Sequence, residues 1–186
     1  MLSASDYYSG SELASLGLKS HGGHVYVHRA ATLIGARHIS VGDYVRIDAH
    51  SLIVAGAEVR IGNRVHSGSA VNLTAAAPVT IADFSGLSAG SKLFTTNDDY
   101  GGDYLTGPTV PPELANISTA PIEVGRHVIV GANSIILPGA VLEEGVAVGA
   151  LSLVKGRLEA WGIYGGVPAR RLKDRSRALL EKESRL

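Results

Sequence analysis

Cysteine is absent from this chain. That excludes a disulfide framework, a thiol nucleophile and any Cys-ligated metal, and by itself leaves the compartment open. An excess of one charge is missing too, since 17 Lys and Arg face 17 Asp and Glu. A chain so balanced lacks the electrostatic footprint that holds a polyphosphate backbone or an anionic bilayer, so neither nucleic acid nor a membrane is an expected partner. No stretch approaches 18 consecutive apolar residues, and the opening MLSASDYYSG has neither a basic n-region nor an apolar h-region. The expectation is an unexported, cytoplasmic protein. Large aromatics are scarce, with 2 Phe, 1 Trp and 7 Tyr in 186 residues, whereas glycine reaches 23. Average usage of glycine is about 7%, so the interior is expected to be narrow, repetitive and filled by small side chains.

A repeat carries that expectation. Steps of six from Val41 reach Ile47 and Ile53; Ile61, Ser67 and Leu73; Ile81, Leu87 and Leu93; Val124, Val130 and Ile136; then Leu142, Val148 and Val154. All but Ser67 are Val, Ile or Leu. A second inward position four residues later is small: Val45, Ser51, Val65, Val71, Ser85, Ser91, Val128, Ser134, Ala140, Val146 and Ser152. Six is the period of neither a helix nor a hairpin strand, and glycines such as Gly42, Gly62, Gly125, Gly131 and Gly149 follow the anchors directly. Each hexad therefore predicts a short strand plus a bend. Three make one turn of a triangular coil, and stacked coils pair their strands in parallel. The fold class is all-β, a parallel β-helix over residues 23–167, with a capping segment over 1–22 that holds a short helix from near Ser11. Residues 168–186, with Leu172, Leu179 and Leu180 among charges, predict an amphipathic C-terminal helix.

The register breaks once. From Leu73 to Val79 is 6 residues, but the matching step from Leu93 to Ile122 is 29. The insert, residues 94–121, is rich in Gly, Pro, Asp and Tyr, and a long insertion in a compact repeat is expected to serve function.

The hexads from Val41 to Val154, closed by GIYGGVPARRLK, resemble the hexapeptide acyltransferases, whose signature ends in Gly-x-Pro-Ala-Arg/Lys. The resemblance implies a left-handed coil, a homotrimer and an acetyl-CoA groove between subunits. More narrowly, YYSGSELASLGLKSHG, VRIDAHSLIVAG, NDDYGGDYLTGPTVP and VAVGALSLVKGRLEAWGIYGGVPARRLK are similar to bacterial N-acetyltransferases that act on the 4-amino group of dTDP-4-amino-4,6-dideoxyglucose for O-antigens and other surface glycans. The implied co-substrate is acetyl-CoA and the implied partner a nucleotide-linked amino sugar. Sugar O-acetylation and a non-catalytic solenoid are the alternatives.

Acyl transfer to an amine needs a neutral nitrogen, a proton acceptor and donors for the oxyanion at the thioester carbon. In related O-acetyltransferases a catalytic His stands in a His-Pro-x-His motif; hexad alignment puts Asp98 there. A hydroxyl must lose its proton to attack, whereas a neutral amine sheds one only afterwards, so a carboxylate suffices and the departure favours an amino acceptor. His66 aligns with a Tyr that contacts the sugar in galactoside acetyltransferase, and imidazole suits proton transfer near neutral pH. His66 and Asp98 are thus the catalytic candidates. Asp48, His50, Asp99 and Tyr100 are the candidate acceptor contacts. The resemblance places the backbone amides of Ala132 and Ala150 against the thioester and pantetheine. Lys155, Arg170, Arg171 and Lys173 are candidates for the CoA phosphates. His127 shares an outward position with Tyr44, Arg64 and Phe84, which suggests a subunit contact. No metal is expected, because the coils lack the paired histidines that zinc enzymes of this fold class use.

Overall fold

In the computed structural model, which describes residues 4–186, the chain winds as a three-sided prism of stacked parallel strands. Face 1 carries Tyr26–His28, Arg46–Ile47, His66–Ser67, Gly86–Leu87, Ile129–Val130, Ala147–Val148 and Gly162–Gly165 in register. Face 2 stacks Thr32–Ile34 through Leu153–Val154, and face 3 stacks Ser20–His21 through Arg157–Leu158. The coil is a left-handed β-helix, opposite to the usual right-handed parallel crossover.

All fifteen hexad anchors are buried, Ser67 among them, and so are all eleven second inward positions. Each fully buried Val, Leu or Ile contributes about 1.5–3 kcal/mol, so the column of anchors is the main source of stability. The inward serines reach between coils: Ser51 Oγ donates to the Gly68 carbonyl at 3.0 Å, Ser85 to Gly125 at 2.7 Å and Ser134 to Gly149 at 2.9 Å. No buried side-chain nitrogen or oxygen among the described residues lacks a partner.

Left-handed winding forces non-glycine residues into positive φ at the corners. Between faces 3 and 1 these are His24, Tyr44, Arg64, Phe84, His127 and Trp161, all at φ 53–59°. That conformation costs an L-residue roughly 1–2 kcal/mol, and stacking of flat groups one coil apart offsets it. His24 and Tyr44 rings lie 4.4 Å apart and 3° from parallel, the Arg64 guanidinium sits 4.5 Å over Tyr44, and Phe84 and His127 stack at 5.1 Å.

The ends are closed by chain that leaves the repeat. Tyr7–Tyr8 pairs antiparallel with Tyr26–His28, and a 3-10 helix, Gly10–Leu16, drops Leu13 into the bottom of the core. At the top, the stretch expected to be one helix is divided. Arg170–Asp174 is a strand antiparallel to Gly162–Gly165, and helix is confined to Leu179–Glu183. The reason is tertiary: the last face-1 strand would otherwise expose an unpaired edge. His127 meets its own C-terminal helix, with Nε2 2.9 Å from Glu183, which also pairs with Arg126. The Arg175 guanidinium is pushed below its ordinary pKa by burial and donates to the carbonyls of His127 (2.6 Å), Gly145 (3.1 Å) and Val146 (3.3 Å). Arg175→Met removes this pin and leaves carbonyls unpaired. It is expected to cost about 2 kcal/mol or more and lower Tm by roughly 4–8 °C in thermal denaturation.

The insert leaves the corner between faces 2 and 3, the prism edge opposite face 1. Thr96–Asn97 and Ser118–Thr119 form its antiparallel stalk, and Pro112–Leu114 is a short 3-10 helix.

Candidate active site

Face 1 displays a strip that changes character along the prism. One outward column runs Tyr26, Arg46, His66, Gly86, Ile129 and Ala147. Beside it run Asp48, Gly68, Ser88, Gly131 and Gly149, linked by amide-to-carbonyl bonds from each coil to the next. The lower part is polar and charged, the middle is floored by glycine, and the upper part is small or apolar. At Gly86 an added Cβ would meet nothing within 4 Å, so the floor is open there.

The polar end is built around one carboxylate. Asp48 is 8% exposed. Its Oδ1 accepts from Tyr7 O–H at 2.9 Å and Arg46 Nε at 2.6 Å, and Oδ2 lies 2.8 Å from His66 Nε2. Burial alone would raise the Asp48 pKa, but the bonds from Arg46, His66 and Tyr7 together outweigh it and hold the carboxyl below its ordinary range. Tyr7 shifts upward, first through burial and then through that carboxylate. Because its acceptor is a carboxylate, His66 Nε2 must carry hydrogen, which leaves Nδ1 as the free nitrogen.

The structure thus brings Asp48 and His66 together but not the rest of the acceptor set. His50 sits at the corner between faces 1 and 2 at φ 60°, exposed, with its amide on the Ala30 carbonyl. Asp98 and Asp99 lie on the insert, across the prism from His66. Asp99 is engaged by its own loop, accepting the amides of Gly101, Gly102, Asp103 and Tyr104 at 2.8–3.1 Å, with Tyr104 contributing most to its lowered pKa. Asp98 is exposed, and Oδ1 accepts the Gly107 amide at 3.1 Å. Tyr100 is 91% exposed at the insert tip.

Ala132 and Ala150 occupy successive bends at the face 1 to face 2 corner, and their amides donate to no described residue. Lys155 is exposed after the last face-2 strand. Arg170, Arg171 and Lys173 lie on the terminal strand that caps face 1, with Arg171 held by the Tyr164 hydroxyl at 3.0 Å and Asp174 at 2.7 Å. No group of three or more His, Asp or Glu that could hold a metal occurs among the described residues, and no helix is long and apolar enough to cross a membrane.

Three residues of the strip were not singled out from sequence. Arg46 and Ser88 are readable afterwards as outward hexad positions in phase with His66 and Asp48. Tyr7 is not, because it joins face 1 through an antiparallel strand outside the repeat. The Ser88 hydroxyl makes no hydrogen bond among the described residues.

A left-handed hexapeptide coil with one inserted loop, free corner amides and an open glycine-floored strip defines an acyltransferase scaffold. Comparison narrows the class. The chain is 37% identical over 179 residues to a dTDP-4-amino-4,6-dideoxy-D-glucose acyltransferase of Escherichia coli, covering 96% of this chain and 93% of the relative. It is 36% identical to AntD, an N-acyltransferase from Bacillus cereus solved with dTDP and 3-hydroxybutyryl-CoA, with a TM-score of 0.92 over 97% of this chain and 95% of the other. A putative lipopolysaccharide biosynthesis O-acetyl transferase, WbbJ of Escherichia coli K12, is 27% identical over 80% of this chain and 74% of its own length. No family model matches. The chain belongs to the dTDP-4-amino-4,6-dideoxyglucose acyltransferase family, whose members are acyl-CoA-dependent nucleotide-sugar N-acyltransferases.

Proposed function

We propose that this chain transfers acetyl from acetyl-CoA to the 4-amino group of a dTDP-linked 4-amino-4,6-dideoxyglucose, for a surface glycan such as an O-antigen, as a cytoplasmic homotrimer. The neutral amine attacks the thioester carbon, the C–N bond forms, the C–S bond breaks, and the amine proton passes to a base that hands it to the departing sulfur, so that CoA leaves as its thiol. The observation that carries the reading is the face-1 strip, which runs from the Arg46 guanidinium and the His66 imidazole past an open floor to the free amides of Ala132 and Ala150. Support for the ligands comes from AntD, also solved with dTDP-4-amino-4,6-dideoxyglucose and coenzyme A.

The homotrimer is what the family resemblance implies, and the placement of face 1 and the insert supports it. Face 1 has no opposing wall, and the hollow of about 360 Å³ beside Phe84, His127 and Glu183 lies away from the strip. Asp98 stands on the edge opposite its own face 1. Three copies around an axis parallel to the coils would close each strip with a neighbour's insert. In that arrangement Asp98 of the neighbour takes the amine proton. AntD has been studied with substitutions at a serine and at an aspartate ten residues later. Ser88 and Asp98 are the one Ser and Asp of this chain at that spacing. A second reading puts the base at His66, and the Asp48 hydrogen bond favours it, because a carboxylate behind an imidazole fixes ring and tautomer. Arg170 and Lys173, with Lys155 and Arg171 nearby, suit the CoA phosphates.

The test is turnover with acetyl-CoA and 3-hydroxybutyryl-CoA against dTDP-, UDP- and GDP-linked amino sugars beside their hydroxyl counterparts. Acetylation of the dTDP-linked 4-amino sugar is expected. Turnover confined to hydroxyl acceptors would overturn the reading.

A further inference from the structure

Arg46 and His66 are register partners on adjacent coils of face 1, and both hold the same buried carboxylate. Their exposure is opposite to that of Asp48: the side chains are 44% and 54% exposed, against 11% for Asp48. Arg46 donates Nε to Asp48 and also interacts with Tyr7, whose ring centroid lies 5.6 Å from its Cζ, and 44% of its side chain stays exposed to meet an anion. His66 keeps Nδ1 off the carboxylate. Tyr7 closes the carboxylate from behind, so its negative charge is screened by three donors and does not face the strip. The result is an outward guanidinium and an outward imidazole in fixed orientation, one on each of two coils, at the foot of the floor that opens at Gly86.

Position along the prism says what such a fork would hold. Coils rise by roughly 4.8 Å, so Ala132, three coils above Arg46, is roughly 14 Å away. That separation matches a hexose with its diphosphate attached, laid along the glycine floor with its far end under the corner amides. The terminal cations that suit CoA lie higher still. A planar guanidinium favours oxygen-anion recognition.

Building on the acceptor proposed above, we propose that Arg46 binds the diphosphate of the nucleotide-linked sugar, with Asp48, His66 and Tyr7 as positioning residues that hold its guanidinium outward. By fixing the diphosphate at Arg46, two coils below Ser88, this contact sets which ring nitrogen reaches the thioester.

Calorimetric titration of dTDP and, separately, of coenzyme A into the unsubstituted protein, Arg46→Gln, Arg46→Lys and His66→Gln tests this, with thermal melts to verify folding. Arg46→Gln is expected to weaken dTDP about tenfold or more, the scale of a lost charge-assisted bond, while CoA stays within about twofold. In turnover the acceptor KM should rise while kcat changes by no more than a few-fold. Arg46→Lys keeps the charge without the planar fork and should fall between; it carries the test if Arg46→Gln does not fold. Unchanged dTDP binding, equal weakening of both ligands, or weakening of CoA alone would each overturn the contact. If the unsubstituted protein binds CoA but not dTDP, the acceptor assignment itself fails, and the contact with it.

Discussion

Asp98→Asn is expected to lower kcat by about 10²-fold, the usual scale for loss of a general base, with little change in KM for either substrate. Asparagine can still accept the Gly107 amide at the position of Oδ1, so the loop keeps its shape while the proton acceptor is gone. His66→Gln, by contrast, should chiefly raise the acceptor KM. If His66→Gln instead takes the 10²-fold fall and Asp98→Asn is nearly silent, the base is His66. Co-expression adds a test of assembly. Gly86→Trp fills the open floor of face 1, where an added Cβ meets nothing within 4 Å, and should leave a folded but inactive chain. Mixed with Asp98→Asn, each chain supplies what the other lacks. In randomly mixed trimers roughly a quarter of the sites would pair an intact face with an intact insert. Activity should then reappear on mixing two inactive variants. If both elements acted within one chain, none would return.

Gly131→Ala is expected to be strongly damaging to the coil. A Cβ at Gly131 would lie 2.4 Å from the Ala150 nitrogen, 2.6 Å from the Gly149 carbonyl carbon and 2.7 Å from the Val148 oxygen. All three are backbone atoms of the next coil, so no side chain can swing away, and adjacent coils must separate. The cost should be about 3 kcal/mol or more, a fall in Tm of roughly 6–12 °C by scanning calorimetry. Gly86→Ala in the same face is the matched control and should move Tm by no more than a degree or two. A similar loss in both would mean that backbone entropy, not coil contact, governs these positions.

The contrast between those two glycines marks how far sequence reading goes. Both lie in hexads and both are plainly glycine in the chain. Their phase differs, Gly131 following an anchor and Gly86 preceding one, but only stacking against the next coil says which of the two a neighbour's backbone forbids and which opens a floor. The same holds for Asp98 and Asp99, adjacent in sequence. Four amides of its own loop occupy Asp99, while Asp98 keeps an oxygen free, because loop curvature turns one carboxylate inward and its neighbour outward. Nothing in NDDY distinguishes them.

The period of six was enough to determine the coil, its core and the place of the insert, because each anchor meets its counterpart one turn away and inward or outward direction follows from position in the hexad. Periodicity also put His66 and Asp48 on one face, since their phase in the repeat is fixed. Tertiary structure alone decided what lies outside the repeat. Tyr7 reaches Asp48 from an antiparallel strand at the bottom, and Arg170–Asp174 becomes a strand to cover an edge at the top despite its helical pattern. Asp98 is carried to the prism edge opposite His66. Those three placements depend on contacts between segments far apart in sequence and on unpaired sheet edges, neither of which a local pattern of residues encodes.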